Sequence, residues 1–502
     1  MVQTLADGVP ADEAPEDLPQ QLRIRRAKYD RLVADKAVYP ARVDRTRSLA
    51  EVRAAYPDLG ADTRTGDVVG VTGRVIFIRN AGKLCFAMLR EGGAELQVML
   101  ARDSVGAEAL AAWKADVDLG DLVFAHGEVV SSRTGELSVS ADAWQLTAKA
   151  LRPLPVAHKS LSDETRVRQR YVDLIVRAQA GDMVRLRAGV TRSLRETLHR
   201  LGYLEVETPM LQIVHGGAAA RPFHTHLNAF DLDMSLRIAT ELYLKRCVVG
   251  GIERVYEIGK VFRNEGVDST HSPEFTMLEA YEAYGDYHTM VELARALVVG
   301  AARDVGALTP LTADGVAIDL AGPWRSITLH EAVSEAVDEE VTAETDPERL
   351  RRHAKRLGVA VRPEWSAGHI AVELFEELVQ GSLIQPTIVR DYPAQVAPLA
   401  RPHRNDERLG EVWDLIVDGV ELAHAATELI DPREQRQRLA RQSQAAAAGD
   451  PEAMRMDEDF LCALEYGMPP TGGIGMGLDR LLMLLTGKGI RETILFPLLK
   501  PR

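Results

Sequence analysis

The segment FRNEGVDSTHSPEF, residues 262–275, holds side chains suited to nucleotide binding, namely Arg263, Glu265, His271 and Phe275. Two β-rich runs, RVYEIGKVF and FTMLEAY, flank it, so the pattern predicts two strands joined by a loop. A planar arginine fork grips phosphate, and an aromatic ring stacks on adenine. Taken alone, the segment is better explained as a charged surface loop.

The glycine-rich run GGIGMGLDR, residues 472–480, leads into a predicted helix with Arg480 at its start. Glycines allow a backbone to approach a ligand or a neighbouring strand closely. The run does not match GxGxxG, because Arg480, next to Asp479, stands three residues beyond Gly477, where the motif needs its last glycine. The chain also has no GxxxxGKS or GxxxxGKT phosphate loop. An ATP site in this chain would therefore lie outside the common parallel-sheet nucleotide folds.

Two carboxylates, Asp414 and Glu421, stand seven residues apart in DLIVDGVE. Oxygen ligands of this kind suit Mg²⁺. If the segment is one strand, the odd spacing puts the two side chains on opposite faces. They could then share a metal ion only where the strand bends or bulges, so the spacing alone gives weak support for a metal site.

The composition is that of a globular protein of 502 residues, with 46% hydrophobic and 27% charged residues. This length allows about three domains and a large buried core. Sixty Lys and Arg residues against seventy-four Asp and Glu residues give a net charge of −14. The charge balance excludes an overall basic, histone-like mode of nucleic-acid binding, but not the binding of one RNA at one place.

The cysteines and the apolar runs bear on the compartment. Cys85, Cys247 and Cys462 are far apart and form no CxxC pair, so neither a disulfide framework nor a structural zinc site is expected. No apolar run reaches the roughly 18 residues that span a bilayer. The N-terminal residues are acidic, unlike a signal peptide. We therefore expect a cytoplasmic protein that does not associate with membranes.

The N-terminal region changes sign along the chain. Residues 1–20 carry five acidic side chains and no basic one, which predicts a flexible acidic tail. Residues 21–50 carry nine basic and three acidic side chains. We predict a basic helical extension over residues 21–65, beginning with a helix over 21–36. This helix is either a solvated surface helix or a helix that binds a polyanion, and the sequence favours neither.

Residues 66–150 contain short β-rich runs separated by glycine-containing turns. Five such runs, with one helix-like stretch at residues 105–115 between the third and the fourth, predict a five-stranded OB-fold barrel. Barrels of this kind bind oligonucleotides by stacking bases on aromatic side chains. Phe86 is a candidate for this role, although an aromatic residue in a strand more commonly belongs to the core.

The remaining chain is predicted to be a linker, residues 151–181, followed by one large α+β domain over residues 182–502. We predict that Asp182 caps the first helix of this domain and that Gly202 ends it. Helical patterns dominate around residues 300–368, which we interpret as a helical insertion in the domain.

Three motifs follow one another in the second half of the chain: GYLEVETPM, which contains Pro209, then FRNE…HSPEF, then GIGMGLDR. The strings GGAAARPF, ELYLKR, PEFTMLEAY, LIQPT and ILFPLLKP are more specific still. From about residue 21 onward the chain resembles the class II aminoacyl-tRNA synthetases, and specifically the bacterial lysine–tRNA ligases. The resemblance implies an antiparallel catalytic sheet flanked by helices, an anticodon-binding OB-fold domain, and a homodimer with Pro209 at its interface.

The resemblance implies an ATP site on the motif residues. Arg263 would hold the α-phosphate as the lysine carboxylate attacks it, and His271 would reach the outer phosphates. Phe275 and Arg480 would enclose the adenine, Arg480 through a cation–π contact. Glu265 would complete the site near the adenine. Arg263, Glu265 and Arg480 are thus the implied catalytic residues, because adenylyl transfer rests on positioning and electrostatics and needs no nucleophilic side chain.

The resemblance also implies Mg²⁺ as the cofactor, held against the phosphates by Asp414 and Glu421. The implied partners are ATP, L-lysine and lysine tRNA. Lysine and ATP would give an enzyme-bound lysyl adenylate, and the lysyl group would then pass to the 3′ end of the tRNA.

The implied amino-acid pocket follows from charge. Glu241 and the Gly216 carbonyl would bind the α-amino group of lysine. Glu279, Tyr281 and Glu428 would bind the ε-amino group. Two carboxylates around one ammonium would also repel acidic substrates and would be left unpaired by neutral ones.

One stretch departs from the family pattern. Where the family has an Asn that contacts the substrate carboxylate, this chain has His424, and where the family has an aromatic wall for the lysine stem, it has Ala426. Losing that wall could cost about 3–5 kcal/mol in a tightly packed site. The change either admits a bulkier lysine-like substrate or is compensated by a neighbour, and the sequence leaves both open.

In the predicted barrel, Arg79, Phe86, Gln97 and Glu136 fall where the family reads the anticodon. Phe86 would stack on a uridine, and Gln97 would bond to a base edge, which is the usual route to recognition of single-stranded RNA. The basic helix over residues 21–36 would contact the RNA backbone.

Three functions compete at this point. The leading hypothesis is a lysine–tRNA ligase. The second is a paralogue that activates lysine or a relative such as β-lysine for another acceptor, a protein, a lipid or a biosynthetic carrier. The departure at His424 and Ala426 motivates it, whereas the intact barrel and the lack of a membrane domain argue against it. The third, a tRNA-binding relative without activity, conflicts with the presence of Arg263 and Arg480.

Overall fold

The computed structural model describes residues 19–35, 38–155, 161–447 and 453–501. The acidic tail predicted over residues 1–20 lies almost entirely outside the described residues. The chain divides into two compact units, an N-terminal unit that ends at Gly181 and a C-terminal unit that begins at Asp182.

The N-terminal unit contains a closed barrel in the order β1-β2-β3-β5-β4. Its strands are β1 Arg64–Ala81, β2 Leu84–Glu91, β3 Ala94–Ala101, β4 Leu122–Ser131 and β5 Leu137–Ala148. All neighbours pair antiparallel except β3 and β5, which pair parallel. Alternate side chains such as Val71, Leu89 and Val98 are fully buried in the barrel. The predicted five-stranded OB fold is confirmed.

Helices complete the N-terminal unit. They are α1 Gln20–Ala34, α2 Leu49–Ala55, α3 Arg102–Val105, α4 Ala107–Asp116, α5 Asp163–Arg168 and α6 Arg170–Val176. The basic helix α1 uses part of its charge against the barrel: the buried Arg25 donates hydrogen bonds to the carbonyls of Leu119 and Ala150, at 2.8 and 2.7 Å, and Lys28 lies 2.8 Å from the Asp118 carboxylate. Helices α5 and α6 lie within residues 151–181, the segment that the sequence predicts to be a linker.

The C-terminal unit is built on an eight-stranded sheet in the order β12-β13-β16-β17-β18-β11-β10-β6. Its strands are β6 Leu204–Glu205, β10 Arg254–Phe262, β11 Glu274–Ala283, β12 Arg325–Thr328, β13 Thr387–Arg390, β16 Val412–Val417, β17 Val420–Thr427 and β18 Thr471–Gly477. The pairings are antiparallel except at the two edges. Five shorter strands lie outside this sheet: β7 Leu211–Gln212, β8 His224–Leu227, β9 Leu232–Leu236, β14 Pro402–His403 and β15 Asp406–Gly410.

The helices of the C-terminal unit flank the sheet. They are α7 Ala178–Arg200, α8 Glu241–Val249, α9 Tyr287–Asp304, α10 Leu329–Val337, α11 Pro347–Leu357, α12 Ala367–Leu378, α13 Pro432–Ala447, α14 Glu458–Glu465, α15 Leu478–Thr486 and α16 Ile490–Thr493. The main core joins α7, α9 and α15 to one face of the sheet through residues such as Leu194, Leu297 and Leu481. Among the residues described, no helix has the length and apolar character to cross a membrane.

The predicted cap at Asp182 is wrong. Helix α7 begins four residues earlier, at Ala178, and the Asp182 carboxylate lies 2.6 Å from Arg185 on the helix surface. The helix ends as expected, because Gly202 adopts the left-handed conformation (φ 84°) that glycine favours. Asp182 is the fifth residue of α7, past its first turn, and it pairs with a base three residues on, a spacing that resembles a cap in sequence.

Candidate active site

A cavity of about 690 Å³ lies on the face of the large sheet that the main core leaves uncovered. Side chains alternate between the two faces of a strand. On β11, Leu278 and Ala280 enter the core, so Glu279 and Tyr281 face the cavity. By the same alternation, β17 and β18 contribute His424, Ala426, Gly473 and Gly475.

Lys245 holds two carboxylates together at one end of the cavity, here called the amine end. Its side chain is fully buried, and its Nζ lies 2.6 Å from Glu241 Oε1 and 2.5 Å from Glu428 Oε2. Glu241 is the first residue of α8, Lys245 stands one turn later, and Glu428 follows β17 directly. Two separate elements therefore meet at one buried ammonium.

Glu279 is the third carboxylate of the amine end. It accepts a hydrogen bond from the N–H of Thr240 at 2.9 Å and one from the hydroxyl of Tyr281 at 3.3 Å. Burial raises the pKa of Glu279 to about 7, and the nearby Glu241 carboxylate adds to the shift. Burial also raises the pKa of Glu428, against the opposing effect of Lys245. With all three carboxylates ionised, the amine end carries two more negative charges than Lys245 neutralises.

The floor of the amine end requires glycine. A Cβ at Gly473 would collide with Glu428 Oε1 and come within 2.5 Å of Tyr281 Cε1. The strand register explains this, because Gly473 lies between Tyr281 on β11 and Ala426 on β17. The glycine run therefore allows β18 to approach the side chains of the pocket closely, between β11 and β17, as predicted from the sequence.

Arg263 follows β10 directly and lines the cavity between its two ends. Its Nε donates to the carbonyl of Ile238 at 3.4 Å, and its Cζ lies 5.2 Å from the centre of the Phe275 ring. Burial lowers the pKa of Arg263, while Glu265 and Glu421 oppose the shift. The structure brings Arg263 and Phe275 together, as the sequence predicts from the two strands that flank their loop.

The loop between β10 and β11 forms the opposite end of the cavity, here called the phosphate end. The exposed His271 places Nδ1 2.9 Å from Asp268 Oδ2, and Asp268 Oδ1 accepts the N–H groups of Thr270 and His271. Glu265 accepts a long hydrogen bond, 3.3 Å, from the N–H of Arg221. These groups are exposed, and His271 and Asp268 pair within the loop, in contrast to the buried carboxylates of the amine end.

Arg480 is positioned by the residue before it. The buried Asp479 accepts the N–H of Thr276 at 2.7 Å and lies 2.5 Å from Arg187, so it ties the start of α15 to β11 and α7. Arg480 then reaches across to β17, where its Nη1 donates to the Glu421 carbonyl at 2.7 Å. Arg480 lines the cavity together with the other motif residues.

Asp414 and Glu421 do not share one strand, so the prediction that they lie on opposite faces of a single strand is wrong. They stand on β16 and β17, which are joined by a tight turn at Asp418 and Gly419, both with positive φ. The Asp-Gly pair is a strong hairpin signal. The pairing of β16 and β17 contains a bulge, and both carboxylates line the cavity.

The same wall fits a divalent cation. Burial, then the neighbouring Glu373, Asp414 and Glu421 raise the pKa of Glu376, which also lines the cavity, to about 7. Carboxylate oxygens, which suit Mg²⁺, thus lie together on this wall of the cavity. Within the described part of the chain no group of three or more His, Cys, Asp or Glu residues forms a complete metal site, so phosphate oxygens would have to supply further ligands.

His424 and Ala426 line the cavity at the positions where the chain departs from the family pattern. His424 Nδ1 lies 2.6 Å from Asp414 Oδ1, and 56% of its side chain is exposed. Desolvation in the cavity opposes protonation, but Asp414 and Glu421 raise the pKa of His424 to about 9, so it is an imidazolium at neutral pH. Ala426 is 7% exposed and pairs with Val412 in the sheet, leaving a wall of small aliphatic groups.

Gly216 differs in position from the other predicted pocket residues. It is buried, with Leu242 beside it, and it is not part of the cavity wall. The wall contains its neighbour Gly217, which has φ 89° and packs against Glu241. At the amine end, Gly217 therefore lines the cavity, whereas Gly216 does not.

The outer face of the barrel brings the predicted anticodon residues onto adjoining strands. Arg79 lies opposite Phe86, with its Cζ 4.8 Å from the ring centre. Gln97 donates to the Ser138 hydroxyl at 2.8 Å, and Glu136 lies 3.2 Å from Arg53. Phe86 is half-buried on the face opposite the barrel core, so it is not a core residue.

Two residues of these sites were not predicted from the sequence. Phe77 is 55% exposed on the same side of β1 as Arg79, and a run of alternating strand residues could have revealed it. Lys245 was missed although the spacing of Glu241 and Lys245, four residues on a helix, is the spacing of an ion pair. The sequence could not show that Glu428 joins that pair.

Comparison with known proteins gives consistent results. The family described as tRNA synthetases class II (D, K and N) matches residues 162–500, and the family described as OB-fold nucleic acid binding domain matches residues 69–147. The chain is similar to the lysine–tRNA ligases of Mycolicibacterium gilvum (strain PYR-GCK) and Kineococcus radiotolerans (strain ATCC BAA-149 / DSM 14245 / SRS30216). Each is 59% identical, covering 97% and 98% of this chain and 98% and 99% of the relative, respectively.

A more distant relative has a different name. The lysylphosphatidylglycerol biosynthesis bifunctional protein of Mycobacterium sp. (strain KMS) is 48% identical over 98% of this chain, which covers 44% of that protein.

An antiparallel sheet on which the second and third motifs line one cavity, together with an OB-fold barrel, defines a class II aminoacyl-tRNA synthetase. The predicted α+β fold and the predicted enzyme class are both confirmed. With two near-full-length relatives at 59% identity, the chain belongs to the lysine–tRNA ligase family within the D, K and N group.

Proposed function

We propose that this enzyme activates L-lysine with ATP and transfers the lysyl group to the 3′ end of lysine tRNA. The observation that carries the proposal is the amine end, where two carboxylates bind one buried ammonium and a third, Glu279, lies near Glu241. The two remaining negative charges match the α- and ε-ammonium groups of one lysine. A neutral or acidic amino acid would leave buried carboxylates unpaired, which is costly.

The first step needs a positioned carboxylate and a neutralised phosphate. Glu241 holds the α-amino group of lysine, and Glu279, Tyr281 and Glu428 hold its ε-amino group. A lysine carboxylate oxygen attacks the α-phosphorus of ATP, and the bond to the β-phosphate breaks, releasing diphosphate. Arg263 stabilises the charge that develops on the α-phosphate.

Phe275 and Arg480 enclose the adenine, and Glu265 and His271 close the site from the loop. Asp414 and Glu421 would hold Mg²⁺, which would draw charge from the phosphates, and the position of both carboxylates on the cavity wall supports this assignment. His424, as an imidazolium paired with Asp414, provides a second cation near the lysine carboxylate.

In the second step a hydroxyl at the 3′ end of the tRNA attacks the lysyl carbonyl carbon, and AMP leaves. The barrel would hold the anticodon, with a base stacked on Phe86 beside Arg79 and an edge bonded by Gln97. Glu136 lies at the rim of the same face. Stacking on an exposed aromatic contributes about 1–3 kcal/mol per base.

The enzyme is proposed to act as a homodimer in the cytoplasm, where its tRNA and ATP are found. Apolar side chains around Pro209 support the dimer, because Met210, Leu211 and Ile213 are 47–64% exposed and Leu204 is 58% exposed. Exposed apolar groups in one segment of chain are typical of a protein interface.

The second candidate function is activation of lysine or a lysine-like amino acid for an acceptor other than tRNA. Two observations favour it: the small wall at Ala426, and the relative named for lysylphosphatidylglycerol biosynthesis. The barrel with its exposed Phe77 and half-buried Phe86 favours the tRNA acceptor.

Amino-acid-dependent ATP–pyrophosphate exchange with lysine, β-lysine and ornithine, followed by charging of lysine tRNA, tests the proposal. We expect exchange with lysine to be fastest and charging to follow. Absence of exchange with lysine contradicts the proposal, and exchange without charging favours the second candidate.

A further inference from the structure

The ion pair of Lys245 differs from the other lysine pairs of the C-terminal unit. Its Nζ is fully buried and contacts carboxylates from two elements, α8 and the end of β17. Lys260, by contrast, is 35% exposed and lies 3.6 Å from one exposed carboxylate, Glu274. A surface pair of that kind contributes little, whereas loss of one partner from a buried set leaves an uncompensated charge.

The two carboxylates held by Lys245 are also those that the proposed function assigns to opposite ends of the substrate. Glu241 and Glu428 both line the cavity, and each gives one oxygen to Lys245. Within the described residues, the second oxygen of each makes no hydrogen bond to the protein. Each carboxylate can therefore bind Lys245 and an ammonium of the substrate at once.

Lys245 also sets the charge of the pocket. Without it, Glu241, Glu279 and Glu428 would present three negative charges to a substrate that brings two ammonium groups. With Lys245 in place, the net charge of the amine end matches the two ammonium groups of the substrate. The carboxylates are also fixed, because two oxygens that touch one Nζ cannot lie farther apart than the sum of the two contact distances.

We propose that Lys245 is a positioning residue for amino-acid recognition, which joins α8 to the end of β17 and fixes the spacing and charge at which the two amino groups of the substrate bind. Lys245 does not touch the reacting atoms. The inference rests on the proposed function, since it takes Glu241 and Glu428 as the groups that bind lysine.

The test is the full-length enzyme carrying Lys245→Met, with Lys355→Met as the matched control, because Lys355 is an exposed residue of α11. In ATP–pyrophosphate exchange we expect the KM for lysine to rise at least 100-fold and the KM for ATP to stay within threefold. The ratio of kcat/KM for lysine to that for norleucine, which lacks the ε-amino group, falls at least tenfold. The control changes neither.

A purely structural role predicts another pattern, in which activity with lysine and norleucine falls in parallel and their ratio is unchanged. That result, or a lysine KM within threefold of wild type, overturns the inference. Failure of the wild-type enzyme to exchange with lysine counts instead against the proposed function.

Two further variants cover the case in which Lys245→Met does not fold. Lys245→Arg keeps the charge but changes the spacing, so we expect a raised KM for lysine, smaller than that of Lys245→Met, with an unchanged KM for ATP. The double variant Lys245→Met with Glu428→Gln removes the unpaired charge and should recover the thermal midpoint without recovering lysine affinity. A normal lysine KM in either variant overturns the inference.

Discussion

The two ends of the cavity are built in opposite ways. At the amine end, Glu279 and Glu428 are almost fully buried and have partners on other elements, including Lys245. At the phosphate end, Glu265 and His271 are exposed on one loop, where Glu265 accepts one long hydrogen bond from the backbone of Arg221 and His271 contacts Asp268. The first end is complete before the substrate arrives, whereas the second has groups free to take up phosphate.

This difference implies that the amine end selects the amino acid, whereas the phosphate end binds ATP with little discrimination. Buried carboxylates with fixed spacing discriminate strongly, because a wrong ligand leaves them unpaired. Exposed groups on a loop bind a highly charged ligand such as ATP without much discrimination, because water screens them. Substitutions at the amine end should therefore have larger effects, confined to lysine, and substitutions at the phosphate end smaller effects, confined to ATP.

The largest effect is expected at Arg263, which stands between the two ends. Arg263→Ala should lower ATP–pyrophosphate exchange about 10³-fold, since a cation aimed at the transferring phosphate is lost. Binding of lysine tRNA, measured by filter retention, should be nearly unchanged. Arg303→Ala, at an exposed residue of α9, is the control. Near-wild-type exchange in Arg263→Ala would show that Arg263 does not have this role.

Glu428→Gln tests the amine end directly. We expect the KM for lysine to rise about 100-fold, because the substrate ammonium and Lys245 lose a buried charged partner, while the KM for ATP stays within twofold. Glu458→Gln, an exposed carboxylate that pairs with Arg436, serves as the control. If both Michaelis constants rose together, the two ends would not be independent.

The pH dependence should differ between the ends. Glu279, whose pKa is raised to about 7, must be ionised to bind an ammonium, so lysine binds less well as the pH falls through 7. From pH 8 to pH 6 the KM for lysine should rise about tenfold, as one proton must be released. The KM for ATP should not follow this profile. Glu279→Gln should reduce the pH dependence of lysine binding, and what remains is due to Glu428, whose pKa burial also raises. A flat profile in the wild type would contradict the assignment.

The smallest effect is expected at the phosphate end. His271→Ala should raise the KM for ATP about threefold, since an exposed, water-screened group contributes little, and should leave the KM for lysine unchanged. His288→Ala, an exposed histidine of α9, is the control. A 100-fold effect on ATP would mean that the loop is as preorganised as the amine end.

The sequence predicted the fold well where local patterns decide it. Five strands with glycine turns specified the barrel, and the strands on either side of Arg263 and Phe275 were expected from their β-rich runs. Helix starts were less certain, because Asp182 lies within α7, past its first turn, and pairs with Arg185. Local composition cannot distinguish that arrangement from a cap.

The site was harder to predict because its geometry depends on contacts between distant segments. Asp414 and Glu421 were placed on one strand, although the Asp-Gly pair between them marks a hairpin. The sequence does not place Lys245 at the pocket, because its contact with Glu428 joins two residues that are far apart in the chain. The basic helix likewise uses Arg25 and Lys28 against the barrel, which net charge alone does not show.

The central claim is that the amine end recognises two ammonium groups through two unneutralised carboxylate charges. The most direct test compares lysine with norleucine, its analogue without the ε-amino group, in ATP–pyrophosphate exchange by the wild-type enzyme. A site built around such a polar group rejects the analogue that lacks it by about 10⁴-fold in kcat/KM, and this is the ratio we predict. A ratio below ten would show that the buried carboxylates do not select the substrate.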